Sequence, residues 1–309
     1  MKKFWLVTLK TGLICILSGL VLSVVLILGF SEELRLHADE FSINEDNFFE
    51  YFKVDKYVNV TREGKQYRLS DTMYSYYFEV PEEEEITGID FKFAVGKVQL
   101  KNGDSMEVTV TDMFENAISS YVKDGVWYIT DSLLDSGTVH SEYCPEITIT
   151  VPKELNPEFM EFYLAAGMVD ADNLVAKDMY LEVDAGSMQV LYLMAEESLT
   201  IKNGVGEVKV HDAKANNLTI NEGVGAISVT GKINGNNVIN GGIGEVKLTL
   251  TDRDKVDFNY KVVCGIGDAE IDGTKFYGNT EEMNFSRPGA DYFELICGIG
   301  RVEIEIAGN

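Results

Sequence analysis

Residues 199–210 read LTIKNGVGEVKV, residues 218–229 read LTINEGVGAISV and residues 237–248 read NVINGGIGEVKL. The three segments align on Gly206, Gly225 and Gly244. Five more glycines sit in the same apolar setting: Gly96, Gly167, Gly186, Gly267 and Gly300. From Gly167 to Gly244 the steps are 19, 20, 19 and 19 residues, the next two are 23 and 33, and the first, from Gly96, is 71. A repeat of this length marks a stacked architecture, in which each unit buries its face against its neighbours.

With each glycine set as position zero, four columns are apolar in every copy. Position −5 holds Phe91, Phe162, Leu181, Ile201, Ile220, Ile239, Val262 and Leu295. Position −1 holds Val95, Ala166, Ala185, Val205, Val224, Ile243, Ile266 and Ile299. Position +2 holds Val98, Val169, Met188, Val208, Ile227, Val246, Ala269 and Val302. Position +4 holds Leu100, Ala171, Val190, Val210, Val229, Leu248, Ile271 and Ile304. Residues two apart on a strand share a face. The step of three from −1 to +2 slips that alternation at the glycine, where a bulge or corner is permitted. Each copy therefore reads as strand, bend, strand, with all four columns expected inside. Polar, turn-rich stretches such as 211–217 and 230–237 suit the return side of a coil.

Two stacking arrangements satisfy this pattern: a β-solenoid of parallel rungs, or an antiparallel meander or sandwich with glycine turns. Columns that persist over five consecutive copies favour the solenoid. Outside the repeats, 106–111, 126–130 and 146–151 read as strands, and Val151-Pro152 closes the last of these. Residues 273–291 read as an inserted, projecting loop.

The chain has 309 residues and a net charge of −25. Its first 30 residues carry Lys2, Lys3 and Lys10 and no acid, so the remainder holds 51 acids against 23 bases. Such a surface repels nucleic acid and anionic lipid and keeps exposed strands soluble and apart. Residues 11–30 form an uncharged apolar run long enough to cross ~30 Å of hydrocarbon as a helix. Lysines before it and Glu32–Glu33 after it place the N-terminus in the cytoplasm and the rest outside. A cleaved secretory signal is the competing reading. Either way the repeats are exported.

Among the four cysteines, Cys15 lies within the apolar run and Cys144 in a loop. Cys264 and Cys297 occupy identical Cys-Gly-Ile-Gly segments. If their copies are neighbours, disulfide geometry can be met; otherwise they are buried thiols acting as small hydrophobes. No nucleophile or zinc motif occurs, and the three histidines, His37, His140 and His211, lack ligand spacing. Acid pairs such as Asp170/Asp172 and Asp252/Asp254 resemble those of polysaccharide-cleaving β-helices only by fold-level analogy. The sequence nominates no catalytic, cofactor-binding or metal-ligating residue.

The run from Ile147 to Val210, a strand ending in Val-Pro followed by "apolar strand, Gly, apolar strand" units, resembles the bacterial putative-adhesin family of β-strand-repeat proteins of unknown function. The resemblance covers roughly residues 89–306, and an N-terminal membrane anchor also occurs in that family. It implies a surface-exposed β-solenoid without established catalytic residues.

The expectation is thus an all-β protein: a β-solenoid (β-helix-like) of about eight Gly-centred repeats, preceded by one transmembrane helix. Residues 1–30 form a cytoplasmic stub and membrane anchor, 31–88 a membrane-proximal spacer and 89–309 the repeat domain. The expected role is a non-catalytic, adhesin-like binding or scaffold protein of the cell surface. It would meet a protein or glycan ligand, or another membrane protein, and no nucleic acid. An accessory or sensor partner in an envelope-stress system is the alternative, and a carbohydrate-active β-helix enzyme the third.

Overall fold

The structure, a computed structural model, describes residues 59–62, 65–68, 73–81, 83–114, 116–135 and 144–307. The span expected at 11–30, and the spacer up to residue 58, lie outside those residues. Among the described residues no helix is long and apolar enough to cross a membrane.

The described chain is all-β. A two-stranded hairpin, Asn59–Arg62 with Lys65–Arg68, forms a sheet of its own, separate in its pairing from a 14-stranded sheet. The sheet follows an open path that ends at Met73–Glu79 and at Thr274–Phe276. Its centre is parallel and in register on the glycines. Gly96 pairs with Gly167, Gly206 with Gly225, Gly225 with Gly244, and Gly244 with Gly300. The 58-residue extended run Phe159–Asn216 carries three of the glycines, with Gly186 set against Gly167 and Gly206 against Gly186.

This stacking explains the glycine column. At Gly225 φ is +136°, closed to most side chains, and a Cβ would lie 1.9 Å from the carbonyl oxygen of Gly206. Each column glycine from Gly167 on thus seats on the carbonyl of the glycine before it in the stack, Gly96 seats on that of Pro145, and substitution at any rung collides with its neighbour.

Three of the four apolar columns line the core. Positions −5, +2 and +4 are between 0 and 3% exposed in all eight copies. Position −3, rather than −1, is a further inward column. It holds Phe93, Leu164, Val183, Asn203, Glu222, Gly241, Cys297 and Cys264 in stacking order, and every side chain in it is buried. The expectation that −1 faces inward is therefore corrected. The chain rounds a corner over positions −2 to 0, and the residue at the apex points away from the core. Hydropathy alone could not separate an inward aliphatic residue from one at an apex.

Among the glycine-centred rungs, stacking order departs from chain order once. The Gly300 rung enters between those of Gly244 and Gly267: Tyr292–Ile306 pairs parallel with Asn236–Leu250 on one side and with Asn259–Cys264 and Asp268–Ile271 on the other. The stretch 273–291 is not simply a projecting loop. Thr274–Phe276 and Thr280–Asn284 pair antiparallel along the outermost rung, and Glu281 and Glu282 put charge on that edge. Arg253 is buried beside it, bonded to Asp257 and Asp291 at 2.7 and 2.6 Å and to the Ile233 carbonyl.

The other end is built alike. Val126–Asp131 and Glu146–Pro152 form a split rung, parallel to the two halves of Gly88–Gly103 and lacking a corner glycine. Ile118–Lys123, Glu107–Phe114 and Met73–Glu79 then add antiparallel strands.

Candidate functional site

The outward column is the most distinctive surface. From rung to rung it runs Ala166, Ala185, Val205, Val224, Ile243, Ile299, Ile266. Val205 is 52% exposed, Val224 45%, Ile243 41% and Ile266 75%, with Ile299 half-buried. Each of the larger members lies between two glycines, because position −2 holds Gly204, Gly223, Gly242, Gly298 and Gly265. Stacking also forces Gly204, Gly223, Gly242 and Gly298; a Cβ on Gly223, for instance, would come within 2.4 Å of the Gly204 carbonyl oxygen. The aliphatic side chains therefore rise from bare backbone. At ~4.8 Å per rung, the stretch from Val205 to Ile266 is about 19 Å long.

The side following the row is charged. Position +1 places Glu207, Glu245 and Asp268 beside it in register, together with Ala226 and Arg301. Arg301 is paired with Glu270 and Glu303, so the acids dominate.

The chain covers one end of the row itself. Val95, the first member, is only 2% exposed. The turn Ser132–Asp135 contacts the strand that carries it, and Leu133 is buried there. Asp131 anchors the turn: its carboxylate accepts the Ala94 N–H at 3.0 Å and the Leu133 N–H at 2.9 Å. Burial pushes the Asp131 pKa up to about 7, against the N–H groups of Leu133, Ala94 and Val95, which pull it down. A short apolar turn with an anchoring carboxylate is thus one way in which this corner is covered.

Asp170 and Asp172 are exposed. Asp252 holds Lys232 at 3.3 Å and Arg253 at 3.8 Å, which ties it to the buried arginine. His211 is exposed, and His37 and His140 lie outside the described residues. Among the described residues no three His, Cys, Asp or Glu side chains gather as metal ligands. The outward row itself escapes a sequence reading that treats every apolar column as core. Its signal was the Gly-aliphatic-Gly triplet, since flanking glycines leave the central side chain no lateral partners on its own strand.

No protein-family model matches the chain, and no curated protein is significantly similar to it. The chain is similar to solved proteins described as adhesins. A putative cell adhesion protein from Clostridium sporogenes is 18% identical, covering 76% of this chain and 100% of that one, with a TM-score of 0.36. A putative adhesin from Bacteroides fragilis is 16% identical over 77% of this chain and 98% of that one, with a TM-score of 0.33. A putative lipid binding protein from Parabacteroides distasonis is 12% identical over 78% and 96%, with a TM-score of 0.38. All three scores are low, and the functional reading rests on this chain's own residues.

Proposed function

We propose that this chain is a non-catalytic, adhesin-like binding protein of the bacterial cell surface, whose outward aliphatic row is the contact surface for a partner protein. In this reading residues 89–309 form a β-solenoid, 31–88 a spacer whose strand Met73–Glu79 joins the edge of the sheet, and 1–30 a cytoplasmic stub and membrane anchor, with the repeats outside the cell.

The exposed Val205–Val224–Ile243–Ile266 row carries the proposal. Contiguous exposed apolar surface on a soluble scaffold marks contact sites. These four side chains expose on the order of 300–400 Å², about half of what one side of a standard protein interface buries. The row has no aromatic ring on which a sugar could stack, which favours a polypeptide over a glycan. The acids at Glu207, Glu245 and Asp268 favour a partner with an apolar strip and a basic rim.

The test is photo-crosslinking in membranes with a crosslinking amino acid at position 224 or 243. A product at these positions that is lost in Ile266→Asp, and absent with the probe at exposed Asp172, supports the row as the contact. Equal capture from position 172 would contradict it. A partner with membrane spans of its own would favour the accessory or sensor role.

A further inference from the structure

We infer that Cys264 and Cys297 are a disulfide-forming pair that staples the Gly267 rung to the Gly300 rung, with a thiol–disulfide oxidant as co-reactant. The two residues are direct register partners on adjacent parallel strands. Neighbouring strands at ~4.8 Å place such Cα atoms within the 4.4–6.8 Å range of disulfides. Both side chains occupy the inward −3 column and are buried, and both are free thiols in the structure. Next to them in the column is Gly241, which has no side chain to compete for the space.

Little opposes closure. The Cys297 thiol donates to the carbonyls of Asp268 and Gly300 at 3.2 and 3.3 Å, and that of Cys264 to the Phe276 carbonyl at 3.7 Å. Thiol hydrogen bonds are weak, so turning the sulfurs toward each other forfeits little. Burial raises both thiol pKa values, that of Cys297 to about 11, with Cys264 as the next cause. Neither sulfur is thus activated as a catalytic or metal-binding thiolate, which suits a structural bond.

The location gives the bond a purpose. Among the glycine-centred rungs, these cysteines join the pair whose stacking order inverts the chain order. The C-terminal strand must enter between two rungs already encoded before it, and a crosslink holds the outermost rung over it. In the reaction both S–H bonds break and one Sγ–Sγ bond forms. The two electrons and two protons pass to the disulfide of an oxidoreductase or of a small-molecule oxidant, whose S–S bond breaks to give two thiols. Because the folded sulfurs are buried, exchange takes place before the Gly267 rung closes or while it is open.

An oxidising surrounding follows from the outward location proposed above, but the chemistry can be tested apart from it. The full chain is refolded in a mixture of oxidised and reduced glutathione, denatured without reductant, alkylated and mapped by mass spectrometry. The expected result is one linked peptide pair containing Cys264 and Cys297, with neither residue alkylated. Alkylation of both, or a bond from either to Cys144, would overturn the inference. In parallel, reductant should lower the melting temperature of wild type and of Cys144→Ser by ~5 °C or more. The same reductant should leave Cys264→Ser unmoved. A shift that persists in Cys264→Ser, or its absence in Cys144→Ser, would also overturn the inference. Failure of the cell-surface reading would leave this refolding result untouched.

Discussion

Asn203 and Glu222 are register partners on neighbouring rungs, and each keeps one buried side-chain oxygen, Oδ1 and Oε1, without a hydrogen-bond partner. The other Glu222 oxygen accepts the Gly242 N–H at 2.7 Å, and the Asn203 amide donates to the Gly206 carbonyl at 3.0 Å. A proton on Glu222 Oε1 would turn that orphaned oxygen into a donor, and Asn203 Oδ1, on its register partner, is an orphaned acceptor.

Burial raises the Glu222 pKa, and the N–H groups of Gly242 and Gly225 oppose the shift. An acid whose pKa is raised by folding contributes full stability below its unfolded value, and that contribution is lost as pH rises through the folded one. Glu222→Gln keeps an acceptor for Gly242 and supplies a permanent donor for Asn203. The variant should therefore be more stable than wild type near neutral pH, by ~1 kcal/mol, with the gap closing as pH falls toward the ordinary glutamate range. Denaturant midpoints across that window measure it; a gap that widens toward acid would refute the protonated Glu222.

Asp131 gives a second titration at the covered end of the row. With a folded pKa of about 7, its contribution is complete below the unfolded carboxylate range and is lost as pH rises from there to about 7. Asp131→Asn should flatten the stability profile between about pH 4 and 7. It should also lower stability by ~1–3 kcal/mol, because Asn offers one acceptor oxygen where Ala94 and Leu133 use two. An unchanged pH profile in the variant would assign the dependence elsewhere.

Gly225 and Gly273 separate the two costs of replacing glycine. Both have positive φ, +136° and +83°, but a Cβ on Gly225 strikes the Gly206 carbonyl whereas one on Gly273 meets nothing within 4 Å. Gly273→Ala should cost ~1 kcal/mol, the backbone preference alone. Gly225→Ala should cost at least ~3 kcal/mol, because two rungs must separate. Equal costs in chemical denaturation would remove the stacking contribution.

The sequence displayed the rung but not its placement. The glycine period and the −5, +2 and +4 columns were legible because each is apolar in every copy. The strands at Glu107–Phe114, Val126–Asp131 and Glu146–Pro152 were also legible, from alternation and from Pro152. The −3 column was hidden because Asn203, Glu222 and Gly241 interrupt its hydropathy, although all of its side chains are inside. The −1 column misled for the opposite reason: Val224 and Ile243 look like core residues and stand at the apex of a corner. The insertion of the Gly300 rung before that of Gly267 left no trace, since a period identifies rungs without ordering them. The candidate contact surface was thus written in plain view as Gly-aliphatic-Gly, yet only the bend reveals which way it faces.

Ile220 and Val224 are four residues apart on one rung; the first is fully buried and the second is 45% exposed. Thermal melting of Ile220→Asp and Val224→Asp compares the two sides of the corner under the same change of charge. Ile220→Asp should lose the cooperative transition, because an unpaired carboxylate enters a dry stack. Val224→Asp should melt within ~2 °C of wild type, as an exposed substitution does. A folded, cooperative Ile220→Asp, or a Val224→Asp that unfolds with it, would contradict an architecture with aliphatic residues inside the rungs and a second aliphatic row along their outer edge.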